Sequence, residues 1–136
     1  MIRLWEVETG ELVVTLDGST SAICGVDWSA EGHQLASGTW HGTIQVWDVS
    51  GTRLLMTLEG HTDVVRGVAL AADGGLLASG SHDGTLRLWD TSDGRCLRVM
   101  RSDRMYERLD ITGLTGVTDA QHASMLALGA IDRAAV

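Results

Sequence analysis

Short, mostly apolar runs of five to seven residues recur along most of this chain, each ended by a cluster of Gly, Asp, Ser or Thr. Runs of that length between turn signals are the pattern of short strands, and Val68/Leu70 with Leu86/Leu88 on neighbouring strands suggest sheets that are apolar on both faces. The pattern predicts strands at Ile2–Glu6 and Glu11–Leu16, joined through Glu8-Thr9-Gly10. Four more follow at Ala22–Trp28, Gln34–Thr39, Thr43–Asp48 and Arg53–Leu58, and another four at Val64–Leu70, Leu76–Ser81, Thr85–Asp90 and Arg95–Met100. The breaks Ala72-Asp73-Gly74-Gly75, His82-Asp83-Gly84 and Ser92-Asp93-Gly94 carry tight-turn chemistry. With 17 Gly and no Pro, the turns have to be built on glycine and on short polar side chains.

The strands recur with a fixed period. Trp5, Trp47 and Trp89 are spaced by 42 residues, and each precedes an acid: Glu6, Asp48 and Asp90. Displacing the chain by 42 lays Leu16–Asp48 on Leu58–Asp90 without a gap, with 15 of the 33 pairs identical. The identities include Leu35-Ala36-Ser37-Gly38 with Leu77-Ala78-Ser79-Gly80, and Gly42-Thr43 with Gly84-Thr85. Chance does not produce that agreement, and each unit reads as an antiparallel meander of four strands. The expected organisation is a half unit at 1–16, full units at 17–58 and 59–100, and a tail at 101–136.

Gly60-His61 at the start of a unit, Ala78-Ser79-Gly80-Ser81-His82-Asp83-Gly84-Thr85 in its middle and Leu86-Arg87-Leu88-Trp89-Asp90 at its close resemble a WD repeat. Such repeats supply four-stranded blades to β-propellers. The resemblance covers about residues 1–100 and implies an all-β chain: a partial β-propeller of two complete four-stranded antiparallel blades, two strands of a third, and a short C-terminal helix. It further implies a hydrogen-bonded tetrad of His61, Ser79, Asp83 and Trp89. In the first unit the matching positions are Ser19, Ser37, His41 and Trp47, so the tetrad is degraded: no carboxylate is present, Ser19 and His41 are left to bond each other, and this blade is expected to be the less rigid one. The His61–Asp83 bond would gather the connection before the first strand and the one after the second at one end of each blade, the end used for partner binding in the family. Contact positions there correspond to Val64, Arg66 and His82 in one blade and to Ala22, Cys24 and Trp40 in the other. Trp40 breaks the 42-residue tryptophan period within a tight turn, and Trp and Arg dominate binding hot spots; it reads either as a contact or as a lid over a loose blade. Trp28, opposite Leu70, reads as core.

His61, Ser79 and Asp83 are also the ingredients of a Ser–His–Asp hydrolase. A nucleophilic serine belongs on an exposed, strained elbow beside an oxyanion hole, whereas Ser79 lies in the apolar run Leu76-Leu77-Ala78 of a motif that recurs at Ser37. The expected role is structural, and the chain is not expected to be an enzyme. The five histidines (33, 41, 61, 82 and 122) show no short ligand spacing, and neither GxxxxGK[ST] nor a helix-opening GxGxxG occurs, so no metal and no cofactor is expected. Cys24 and Cys96 form no CxxC pair and read as reduced thiols of a cytoplasmic protein. A net charge of −8 with no basic run argues against nucleic acid and anionic membranes, and no apolar stretch approaches bilayer-spanning length.

Beyond Met100 the composition turns polar, at Arg101-Ser102-Asp103-Arg104. Thr118-x-x-Gln121 is a capping-box signal that predicts a helix over about 119–128, with Gly129 as its stop and Ala123, Leu126 and Ala127 on one packing face, extended by Ala120 and Ala130. The stretch from Tyr106-Glu107-Arg108 to Val117-Thr118, with Leu126-Ala127-Leu128-Gly129-Ala130, is similar to the C-terminal end of bacterial WD-repeat proteins, many of which carry an upstream signalling NTPase domain of the STAND class. The resemblance implies a chain that continues upstream, because stacked repeats bury their core only between one another. The function expected is a scaffold for a protein or peptide partner. The alternatives are the ligand-sensing end of a signalling NTPase and a self-assembling propeller segment.

Overall fold

A computed structural model describes residues 1–101, 110–128 and 130–135. The chain divides into two compact units, Met1–Arg101 and Ser102–Val136.

The first unit holds three antiparallel sheets. β1 (Ile2–Trp5) and β2 (Leu12–Leu16) form a two-stranded ribbon. β3 (Ile23–Trp28), β4 (Gln34–Thr39), β5 (Ile44–Asp48) and β6 (Arg53–Leu58) form a four-stranded meander. β7 (Val65–Leu70), β8 (Leu76–Ser81), β9 (Thr85–Asp90) and β10 (Cys96–Arg101) form a second. These are the two propeller blades and the half blade, and their ends differ from the predicted ones by a single residue at most. Ala22 and Val64 lie just before a bulge in each inner strand and outside the strands themselves, and their carbonyls accept from the turn amides of Trp40 (2.8 Å) and His82 (3.0 Å).

The 42-residue period reappears as a repeated interface. Leu16, Leu35 and Trp47 form one core, with Ile2, Leu4, Val14 and Val49 packed against it. Shifted by one period, Leu58, Leu77 and Trp89 lie in the other, joined by Ala36, Ile44, Val46 and Val65. Within the first four-stranded sheet, Leu35 and Trp47 therefore serve the core shared with the half blade, and Ala36, Ile44 and Val46 the core shared with the second. Both faces are covered, so β4 and β5 are almost wholly buried. Each large apolar side chain taken out of water in this way contributes about 1.5–3 kcal/mol. The second sheet has one covered face: Leu86 and Met100, the counterparts of Ile44 and Leu58, are 57% and 40% exposed. The inner strands are tied directly, since the Leu70 amide donates to Asp27 Oδ2 at 2.8 Å.

Trp28 is not core. It is 42% exposed and lines a groove with Trp5, Val13 and Val14. Leu70, its counterpart, packs against a complete neighbouring blade, whereas Trp28 faces a two-stranded ribbon that leaves its indole uncovered.

In the second unit, α1 (Asp119–Ala127) starts with the expected capping box: Thr118 Oγ1 accepts from the Gln121 amide at 3.2 Å, and Gln121 Oε1 from the Thr118 amide at 2.9 Å. Its packing face differs from the expected one. Ala123 and Ala127 are exposed, and His122, Met125 and Leu126 are the half-buried positions. On that side the His122 ring lies 2.9 Å from Asp132 Oδ2. Ile111 and Ala130 are the buried apolar residues here, and the Ile111 amide donates to the Ile131 carbonyl at 2.8 Å. Gly129 and the stretch containing Tyr106, Glu107 and Arg108 lie outside the described residues.

Candidate functional site

The sequence places His61 just before β7, Ser79 within β8, Asp83 in the β8–β9 turn and Trp89 on β9. The structure brings these four together. Trp89 Nε1 donates to Ser79 Oγ at 2.8 Å, and Ser79 Oγ lies 2.8 Å from His61 Nε2. His61 Nδ1 is 2.8 Å from Asp83 Oδ2. One arrangement satisfies every group: the serine hydroxyl donates to Nε2, and a proton on Nδ1 is donated to the carboxylate. Asp83 also accepts from the Thr62 amide at 3.1 Å, and from the amide and hydroxyl of Thr85 at 2.9 and 2.6 Å. Burial pushes the Asp83 carboxyl upward. The hydrogen bonds from Thr85, His61 and Thr62 outweigh it and hold the group well below the usual carboxylate range. A buried polar chain with all members satisfied rigidifies one packing arrangement.

The Ser79–His61–Asp83 distances match those of a hydrolase triad, yet the surroundings remove the chemistry. Ser79 is 2% exposed and the His61 side chain is fully buried. The indole N–H of Trp89 occupies a lone pair that a nucleophilic Ser79 would need. No substrate carbonyl reaches this oxygen without opening the blade.

The first blade keeps half of the network. Trp47 Nε1 donates to Ser37 Oγ at 3.1 Å, but the nearest acceptor for the Ser37 hydroxyl is the Gln45 carbonyl at 3.5 Å, outside good geometry. Ser19 and His41 do not meet: the Ser19 hydroxyl donates to the Ser21 carbonyl at 2.9 Å, and His41 is exposed. Only the contact that Asp83 makes with Thr85 has a counterpart here, through Thr39, whose Oγ1 is 2.8 Å from Thr43 Oγ1 and accepts from the Thr43 amide at 3.2 Å. The sequence reading missed Thr39, Thr62 and Thr85; the Gly42-Thr43 and Gly84-Thr85 identities were the available signal.

At the end of the blades that carries Ala22, Trp40, Val64 and His82, the candidate contacts separate. Val64 is 4% exposed and so belongs to the core, its carbonyl fixed by the His82 turn. Trp40 is 53% exposed. Arg66, on the neighbouring blade, places its guanidinium carbon 5.9 Å from the Trp40 ring centroid and donates from Nε to His82 Nε2 at 3.1 Å. Trp40, Arg66 and His82 thus form one exposed cluster across two blades. Cys24 is half-buried at the counterpart position of Arg66, and both cysteines are free thiols. Among the described residues, no group of three His, Cys, Asp or Glu side chains is arranged to hold a metal ion, and no helix is long and apolar enough to cross a membrane.

No curated protein matches the chain. The family described as WD domain, G-beta repeat matches residues 10–48 and 52–90, more than half of the chain. Each matched repeat takes the last strand of one sheet and the first three of the next, β2 with β3–β5 and β6 with β7–β9. The tetrad sits inside the second match, and with both repeats matched, each offset from a blade by one strand, the chain belongs to the WD40 repeat family.

Proposed function

We propose that the chain is a non-catalytic scaffold that binds a protein or peptide partner through the blade end carrying Trp40, Arg66 and His82. The observation that supports this reading most is the cluster itself. A Trp ring more than half exposed is held by an Arg from the next blade, and no core requirement explains either side chain. Such residues carry a large share of binding energy when a partner desolvates them. The test compares immobilised chain with Trp40→Ala by quantitative mass spectrometry of the polypeptides each retains. A polypeptide retained about tenfold less by the variant, at unchanged melting temperature, supports the reading. Identical sets on both, or nothing retained by either, overturns it.

A second observation favours a self-assembling reading. Ala36, Ile44, Val46 and Leu58 are buried against a neighbouring blade, while their counterparts Ala78, Leu86, Leu88 and Met100 form an open apolar face. A blade from a second copy fits that face by the chemistry already used once in the molecule. Light scattering after size exclusion tests this reading: a discrete oligomer supports it and a stable monomer rejects it.

A further inference from the structure

We infer that the Trp40–Arg66–His82 cluster is an oxyanion-recognition site that takes a single carboxylate or phosphate, carried beside an apolar or aromatic group on the partner polypeptide. This inference rests on the contact reading above and assigns the chemistry of its centre.

Three observations converge on it. Arg66 forms no ion pair among the described residues, unlike Arg53, Arg95 and Arg133, which face Asp48, Asp93 and Asp110. The chain as a whole carries a net charge of −8, so a cation outside any ion pair stands against the overall sign. The guanidinium is also held in place. Its Nε is spent on His82, and its face lies by the Trp40 ring, leaving the Nη donors without a hydrogen bond among the described residues. A planar fork of that kind matches the two oxygens of a carboxylate or phosphate, and an Arg already fixed loses less freedom on binding. Finally, Trp40 and His82 occupy equivalent turns one period apart, and Arg66 bridges them, so an exposed aromatic surface adjoins the cation.

The same surroundings exclude other oxyanion carriers. A nucleic-acid backbone needs several cations and is repelled by the net charge. A run of acidic residues would meet exposed Asp63 close by in the chain. One oxyanion with an apolar neighbour remains.

Phenyl phosphate, phenylacetate and neutral benzyl alcohol are titrated into the whole isotope-labelled chain, following the Trp40 indole N–H and the Arg66 Nε–H by NMR. Saturable shifts of both signals with at least one anion, and not with benzyl alcohol, are expected; which anion binds more tightly separates phosphate from carboxylate. Arg66→Gln should weaken that binding about tenfold. His82→Ala should weaken it less, because the charge remains and only its positioning is lost. Arg53→Gln should leave it unchanged. Equal shifts with the neutral probe overturn the oxyanion assignment and leave the contact surface standing. Shifts that survive Arg66→Gln, or no shift at the cluster, overturn the inference, whereas the contact reading stands or falls on the Trp40→Ala comparison.

Discussion

At the scale of the residue, Ser79 and Ser37 are the same residue in the same repeat position with different numbers of partners. Ser79→Ala leaves both Trp89 Nε1 and His61 Nε2 without a partner, in a site where an unmade bond costs about 1–3 kcal/mol. Ser37→Ala strands Trp47 Nε1 alone. Urea denaturation should show the larger loss for Ser79→Ala; the opposite order would contradict the network described here. Asp83 adds a pH dependence. Its carboxyl is depressed from an ordinary value of 3.8, so its contribution is complete above that value and is lost as pH falls toward the folded value. Wild type should therefore destabilise as pH falls below about 4, and Asp83→Asn should flatten that acid limb in melts at neutral and acid pH. The four tetrad residues were legible through the resemblance of the second unit to a WD repeat; the 42-residue period alone repeats only Ser79 and Trp89, at Ser37 and Trp47. Thr85 and Thr62 were not: one is a common strand opener, and the other acts through its backbone amide.

At the scale of the element, the strands were legible because short apolar runs and the turn chemistry between them are local. The hairpin turn at Gly10, Thr52 and Gly94 shows how local. These residues stand one period apart and all have positive φ, with Thr52 at 53°. A β-branched residue is strained there and glycine is not, so Thr52→Gly should raise stability by about 0.5–1 kcal/mol, read as a higher melting temperature. Rigidity depends instead on neighbours. The incomplete tetrad argues that the first blade is the looser one. Its burial argues the opposite, with β4 and β5 covered on both faces and β8 and β9 on one. Hydrophobic cover acts on every residue of a strand and the tetrad on four side chains, so hydrogen exchange is expected to be slower in β4 and β5 than in β8 and β9. Faster exchange in β4 and β5 would give the tetrad the larger share.

At the scale of the whole molecule, the open face with Leu86 and Met100 is what remains when a repeat that packs on both sides has a neighbour on one. Leu86→Lys should lower the solution mass and reduce hydrophobic-dye binding while leaving the buried core untouched; no change in either would show that this face has no role in association. The sequence by itself determined the strands, the turns and the period, because each depends on residues close in the chain or on a spacing that repetition makes visible, while the four tetrad residues followed from the resemblance of the second unit to a WD repeat. Tertiary structure alone decided that Val64 is core and Trp28 is surface, that His122 rather than Ala123 marks the inner side of α1, and that Trp40 meets Arg66. Those outcomes depend on which blade covers which face, and periodicity states which residues are equivalent but not whether each has a neighbour.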